Sequence, residues 1–138
     1  MTSDVFSTAD NMGRNSLMIA FENGKHEVVQ VLLKSHFLTP EVFQKRSNLQ
    51  ENALMIASAN GETDIVRELL KAHDAHGTPL MTSDVFSTAD SMGRNALMIA
   101  SLYGRSEVVQ VLLESHLMKP EIFERTDSQG RNALMLAP

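Results

Sequence analysis

The block Asn-Ala-Leu-Met occurs at residues 52–55, 95–98 and 132–135, and Asn-Ser-Leu-Met at 15–18 is a near copy. A chain that restarts the same helix four times folds as a stack of small units, each burying its apolar face against the next. Such a stack has no deep pocket of its own and works through a long exposed face. Leu17, Leu54, Leu97 and Leu134 follow one another by 37, 43 and 37 residues, so the second unit carries six extra residues. These are Ala75-His76-Gly77-Thr78-Pro79-Leu80, a loop by its Gly and Pro. We expect one array over residues 1–138, with units near 1–37, 38–80 and 81–117 and a partial unit at 118–138. Residues 1–10 are identical to 81–90, and 27–33 to 107–113, which points to a duplication, natural or engineered.

Within a unit, Asn95 is placed to cap a helix, its amide oxygen accepting from a first-turn N–H, and Ala96-Leu97-Met98-Ile99-Ala100 follows as helix. Gly104 ends it, as Gly24 and Gly61 do in the earlier units. A second helix runs over about 107–114, with Val108, Val109, Leu112 and Leu113 forming one broad apolar face. Ile65, Val66, Leu69 and Leu70 repeat that pattern, and Glu27, Asp64 and Glu107 sit at the positive helix ends. In the connection after the first unit, Thr39 can cap, Pro40 suits the first helical position and Glu41 follows, so an extra helical turn is expected. Phe6, Phe43, Phe86 and Phe123 recur there as packing pegs. Met18, Met55, Met98 and Met135 pack between units beside the Leu row, and Ala20, Ala57, Ala100 and Ala137 allow close helix approach.

Composition excludes several classes of function. Twelve basic against seventeen acidic residues, with the cations scattered, give a net charge of -5 and no surface for tracking phosphates, so nucleic acid is not expected as a partner. No apolar run approaches the ~20 residues of a membrane span, and the start lacks a secretory pattern. A soluble chain in the cytoplasm is expected, or one delivered to a host cytoplasm if it is an effector; the absence of cysteine fits a reducing compartment. There is no nucleophile elbow and no phosphate or calcium loop, so neither catalysis nor a cofactor is expected. His36, His73 and His116 recur in three units, but equivalent positions in stacked helices lie ~8–10 Å apart, whereas zinc holds its ligands at ~2 Å. Their expected role is to meet the last helix carbonyls. His73 and His76 could share one helical turn but lack a third ligand, so no metal site is expected.

A helix pair closed by Gly, then Glu-Val-Val-Gln-Val-Leu-Leu at 107–113, preceded by Asp-Ser-Met-Gly-Arg-Asn-Ala-Leu at 90–97, resembles the ankyrin repeat throughout the chain. The resemblance implies an all-α solenoid of stacked helix-turn-helix units with elongated connecting fingers. Asn-Ala-Leu-Met stands in place of the family's Thr-Pro-Leu-His, so a capping Asn replaces Thr and Met packing replaces the His hydrogen bonds. The unit exceeds the family's ~33 residues, the surplus falling in the finger. Gln50-Glu51 stand where Gly-Arg occurs at 13–14, 93–94 and 130–131, so the second finger is expected to bend differently. The last unit stops before a second helix, leaving an apolar face of unit three partly covered and suggesting a longer parent protein.

By the same resemblance, the chain is expected to bind a protein partner through finger tips and the concave first-helix surface, as a monomer with at most weak self-association. The corresponding residues are Met12, Arg14, Glu22 and Asn23, then Leu49, Glu51, Ala59 and Asn60, then Met92, Arg94, Leu102 and Tyr103. Leu102-Tyr103 is the strongest local signal, since it replaces Glu22-Asn23 and Ala59-Asn60. The rival readings are a non-catalytic segment of a larger multidomain enzyme or host-directed effector, and a self-associating scaffold.

Overall fold

The computed structural model describes residues 10–35 and 38–137. Phe6 and His36 therefore lie outside the described residues. Three helix pairs stack in order: α1 (Ser16–Glu22) with α2 (His26–Leu33), α4 (Ala53–Ala59) with α5 (Thr63–Lys71), and α7 (Ala96–Leu102) with α8 (Ser106–Glu114). Short helices α3 (Pro40–Gln44), α6 (Ser83–Ser87) and α9 (Pro120–Phe123) connect the units, and α10 (Ala133–Leu136) begins the fourth. The extra turn expected between units is thus present. Among the described residues there is no strand, only an isolated bridge between His73 and Pro79.

Each first helix starts where an Asn interrupts extended backbone. The Oδ1 atoms of Asn15, Asn52, Asn95 and Asn132 accept from the N–H of Met18, Met55, Met98 and Met135 at 2.9–3.0 Å. A cap of this kind contributes about 1 kcal/mol. Thr39 holds the cap position of α3 without a side-chain bond, whereas Thr82 accepts from Val85 N–H at 3.2 Å. At Thr39 the start is therefore fixed by Pro40, which presets the backbone angle and needs no N–H partner.

The capping Asn has a second task that ties the units together. Its Nδ2 donates to a carbonyl of the next unit's connecting helix: Asn15 to Val42 at 3.3 Å, Asn52 to Val85 at 3.1 Å and Asn95 to Ile122 at 3.2 Å. All three side chains are buried, where an unpaired amide would cost about 1–3 kcal/mol. At the far end of the first helices, Asn60 Nδ2 donates to Phe21 O and Arg105 Nε to Ala59 O, each at 2.9 Å. Polar tethers thus fasten both ends of the helices that the Leu row glues together.

Leu17, Leu54 and Leu97 are buried, as are Met18, Met55 and Met98, Ala57 and Ala100, and Phe43 and Phe86. The fourth unit differs. Leu134 is 70% and Met135 64% exposed, Phe123 is 37% exposed, and among the described residues of this unit Ile122, Ala133 and Leu136 enter the core. In α8, Val108 and Leu112 are buried but Leu113 is exposed, so the broad apolar face is only half covered. The same sequence in α2 exposes Val28 and Val31. The physical reason is shared: a residue in this stack is buried by the adjacent unit, and no further described unit packs on either outer side. A groove of about 470 Å³ opens beside Leu113, Phe123 and Leu134.

The six extra residues form a compact turn. Asp74 N–H donates to Thr78 O at 2.9 Å, Gly77 N–H to Asp74 O at 3.0 Å, and Asp74 Oδ1 accepts from the N–H groups of His76 and Thr78 at 2.8 and 3.0 Å. This is the finger turn of the other units built a further time within unit two.

Candidate recognition surface

One Asp builds each regular finger. Asp10, Asp90 and Asp127 accept through Oδ1 from the N–H groups two and four residues on, and through Oδ2 from the Arg Nε of Arg14, Arg94 and Arg131 at 2.9–3.0 Å. The backbone N–H of Arg14, above all, holds the Asp10 carboxyl below its ordinary range, and that of Arg131 does the same for Asp127. Three N–H and guanidinium donors converging on a carboxylate lock the turn and orient the Arg across the face.

The second finger keeps this geometry with other residues, contrary to the expectation that it bends differently. Ser47 replaces the Asp: its Oγ accepts from the N–H groups of Leu49 and Glu51 at 3.2 and 3.3 Å, while Ser47 N–H donates to Glu51 O at 2.8 Å. Gln50 takes the glycine position at φ 65°, a left-handed conformation costing an L-residue about 1–2 kcal/mol. The turn is enforced by its neighbours.

Those neighbours are the adjacent fingers, joined through the backbone. Asn48 N–H donates to Met12 O at 2.8 Å, Ser91 N–H to Leu49 O at 3.0 Å and Ser128 N–H to Met92 O at 3.0 Å. The approach is close enough to favour glycine. A Cβ on Gly13 would stand 2.6 Å from Asn48 Oδ1, and one on Gly93 3.0 Å from Ser128 N, both at positive φ. Three successive fingers thus bring Met12, Leu49 and Met92 into register, with side chains 50%, 54% and 42% exposed although their carbonyls are bound.

The other sequence-expected residues divide into two groups. Arg14 is paired with both Asp10 and Glu22, Arg94 with Asp90, and Asn60 is spent on the tether to Phe21. Leu102 leans against the core, whereas Glu22, Asn23 and Tyr103 are exposed. Ala59 is half-buried beside the first-helix ends. Glu51 stands apart: it occupies the Arg position of its finger, is half-buried, and among the described residues its carboxylate accepts a hydrogen bond only from Ser47 Oγ, at 3.4 Å. Burial first, then the charges of Glu22 and Asp90, raises its carboxyl above the ordinary range, against the opposing Ser47 hydroxyl and Arg94 charge.

Sequence reasoning missed the roles of Arg105, Arg46 and Ser47. Arg105 holds Ala59 O, and Arg46 reaches Ala89 O of the next unit as well as Gln50 O. Partners about forty residues away leave no local signal; only the absence of Gly at position 50 hinted at Ser47. Among the described residues, no three His, Asp or Glu side chains cluster to hold a metal ion, and no helix is long and apolar enough to cross a membrane.

Against this geometry, a family model for ankyrin repeats in three copies matches residues 38–121, more than half of the chain. The chain belongs to the ankyrin-repeat family. Ankyrin repeats generally serve as protein-interaction modules and are typically non-catalytic. No curated protein matches the sequence significantly. The matched segment contains two complete helix pairs and the second and third fingers.

Proposed function

We propose that this ankyrin array recognises a protein partner through its finger tips and the first-helix face beside them, acting by rigid display. The observation that carries the reading is the row of Met12, Leu49 and Met92, exposed apolar side chains held in line by backbone bonds between fingers. Apolar groups kept in water by a locked backbone lose little freedom on binding, so few contacts suffice for useful affinity. Methionine adapts its shape to what it meets, and Tyr103 offers an aromatic anchor farther along the face.

The proposed contact set is Met12, Arg14, Glu22 and Asn23 in unit one, Leu49, Glu51, Ala59 and Asn60 in unit two, and Met92, Arg94, Leu102 and Tyr103 in unit three. The test is affinity capture from extracts of the source cells with the native chain and with Leu49→Asp plus Met92→Asp. Both sites are exposed, so circular dichroism should be unchanged. Loss of a specific captured protein supports the reading; equal capture by both chains removes the finger row from it.

A further inference from the structure

The row formed by Arg14, Glu51 and Arg94 crosses three fingers at equivalent positions. Arg14 and Arg94 are each neutralised within their own finger by Asp10 and Asp90. In the second finger both members of that pair are exchanged, Asp to Ser47 and Arg to Glu51, and among the described residues Glu51 has no ion-pair partner. The far ends of the first helices differ in step. Over unit one, Arg14 also binds Glu22 and closes the face with a salt bridge; over units two and three the equivalent positions are Ala59 and Leu102, apolar and without charge. The surface therefore combines a carboxylate that has no ion-pair partner among the described residues with apolar side chains: Leu49 and Met92 at the tips, and Ala59 and Leu102 at the helix ends.

Resting on the reading of this face as the recognition surface, we infer that the partner segment carries a basic side chain, arginine or lysine, flanked by apolar residues, and seats its cation on Glu51 over units two and three. Charge complementarity selects the occupant. A half-buried carboxylate flanked by Glu22 and Asp90 is disfavoured in the unbound chain, and an incoming cation relieves that cost as it forms a charge-assisted hydrogen bond. The alkyl stem of Arg or Lys lies along apolar surface while its head meets the charge. An acidic segment would set a like charge against Glu51 and is disfavoured, so the same feature provides selectivity.

The test is selection of a random displayed peptide library on the full chain, and on Glu51→Gln and Glu51→Arg chains. Arginine occupies this position at 14, 94 and 131, so the charge reversal is compatible with the fold. We expect peptides selected on the native chain to hold Arg or Lys between apolar residues and to bind Glu51→Gln at least about tenfold more weakly, the loss of a hydrogen bond to a charged group. Peptides selected on Glu51→Arg should favour Asp or Glu. Selected peptides that lack a basic residue but are lost on Leu49→Asp would overturn the cation seat and leave the recognition surface standing. Failure to select any peptide sensitive to Glu51, Leu49 or Met92 would overturn both.

Discussion

The Nδ2 of Asn52 donates to the carbonyl of Val85 at 3.1 Å, while the Oδ1 of the same side chain caps its own helix at Met55 N–H. A single amide thus starts one unit and binds the next, which explains why asparagine, with a donor and an acceptor, occupies the position. Asn52→Thr, the residue type usual in the family, should keep the cap and lose the tether, costing about 1–3 kcal/mol through the unpaired carbonyl. Asn52→Ala should cost more, by about another 1 kcal/mol for the cap. Urea unfolding of both variants measures the difference; equal stabilities of Asn52→Thr and the native chain would dismiss the tether.

Gln50 bears the strain of the second finger at φ 65°. We expect Gln50→Gly to stabilise the array by roughly 0.5–1 kcal/mol, the relief of a left-handed L-residue less the added chain entropy of glycine. A fall in the denaturation midpoint would show that the Gln side chain does more than occupy a turn.

Leu54 and Leu134 share a position in the repeat but not a surrounding, the first buried and the second 70% exposed. Leu54→Ala should cost about 2–5 kcal/mol by opening a cavity in an inner unit. Leu134→Ala should stay within about 0.5 kcal/mol of the native chain. Similar losses at both sites would mean that burial does not follow the stacking order.

The acidic residues give opposite signs with pH. For Asp10 and Asp127 the folded carboxyls titrate lower than the unfolded ones, so their stabilisation is complete above the unfolded value and is lost as pH falls through the folded one. Glu51 is raised, so it opposes folding when charged, and the opposition fades as pH falls through its folded value. Glu51→Gln should therefore raise stability at neutral pH, with a gain that shrinks toward acid. Denaturant unfolding across the carboxylate range, with proton-detected titration of Glu51, distinguishes the two.

Much of the fold was legible because its signals are local. Asn before an apolar run, Gly after it, and Pro40 at a first turn each act on backbone within one or two turns, so helix starts and stops followed from neighbouring residues. The exposure of Phe123, Leu113, Leu134 and Met135 was not legible, since the same residue types at the same register are covered or bare according to which unit stands beside them. The second finger was misread for a related reason: Ser47 and Gln50 lack the local Asp and Gly, and the turn is held by Asn48 N–H on Met12 and Ser91 N–H on Leu49, bonds that span more than thirty residues. Of the proposed recognition surface, the tip residues were readable as positions; that Asn60 is spent on the tether to Phe21, and Arg14 and Arg94 on pairs with their own Asp, required the neighbours to be in place.

Rigid display depends on the fingers behaving as one body. Amide hydrogen exchange at Asn48, Ser91 and Ser128, read residue by residue by NMR, tests this directly because these N–H groups bridge consecutive fingers and sit on exposed residues. We expect them to exchange as slowly as the helix amides of α4 and α7, opening only with the stack. Exchange near the rate of an unstructured chain, with α4 and α7 still protected, would contradict a locked finger row.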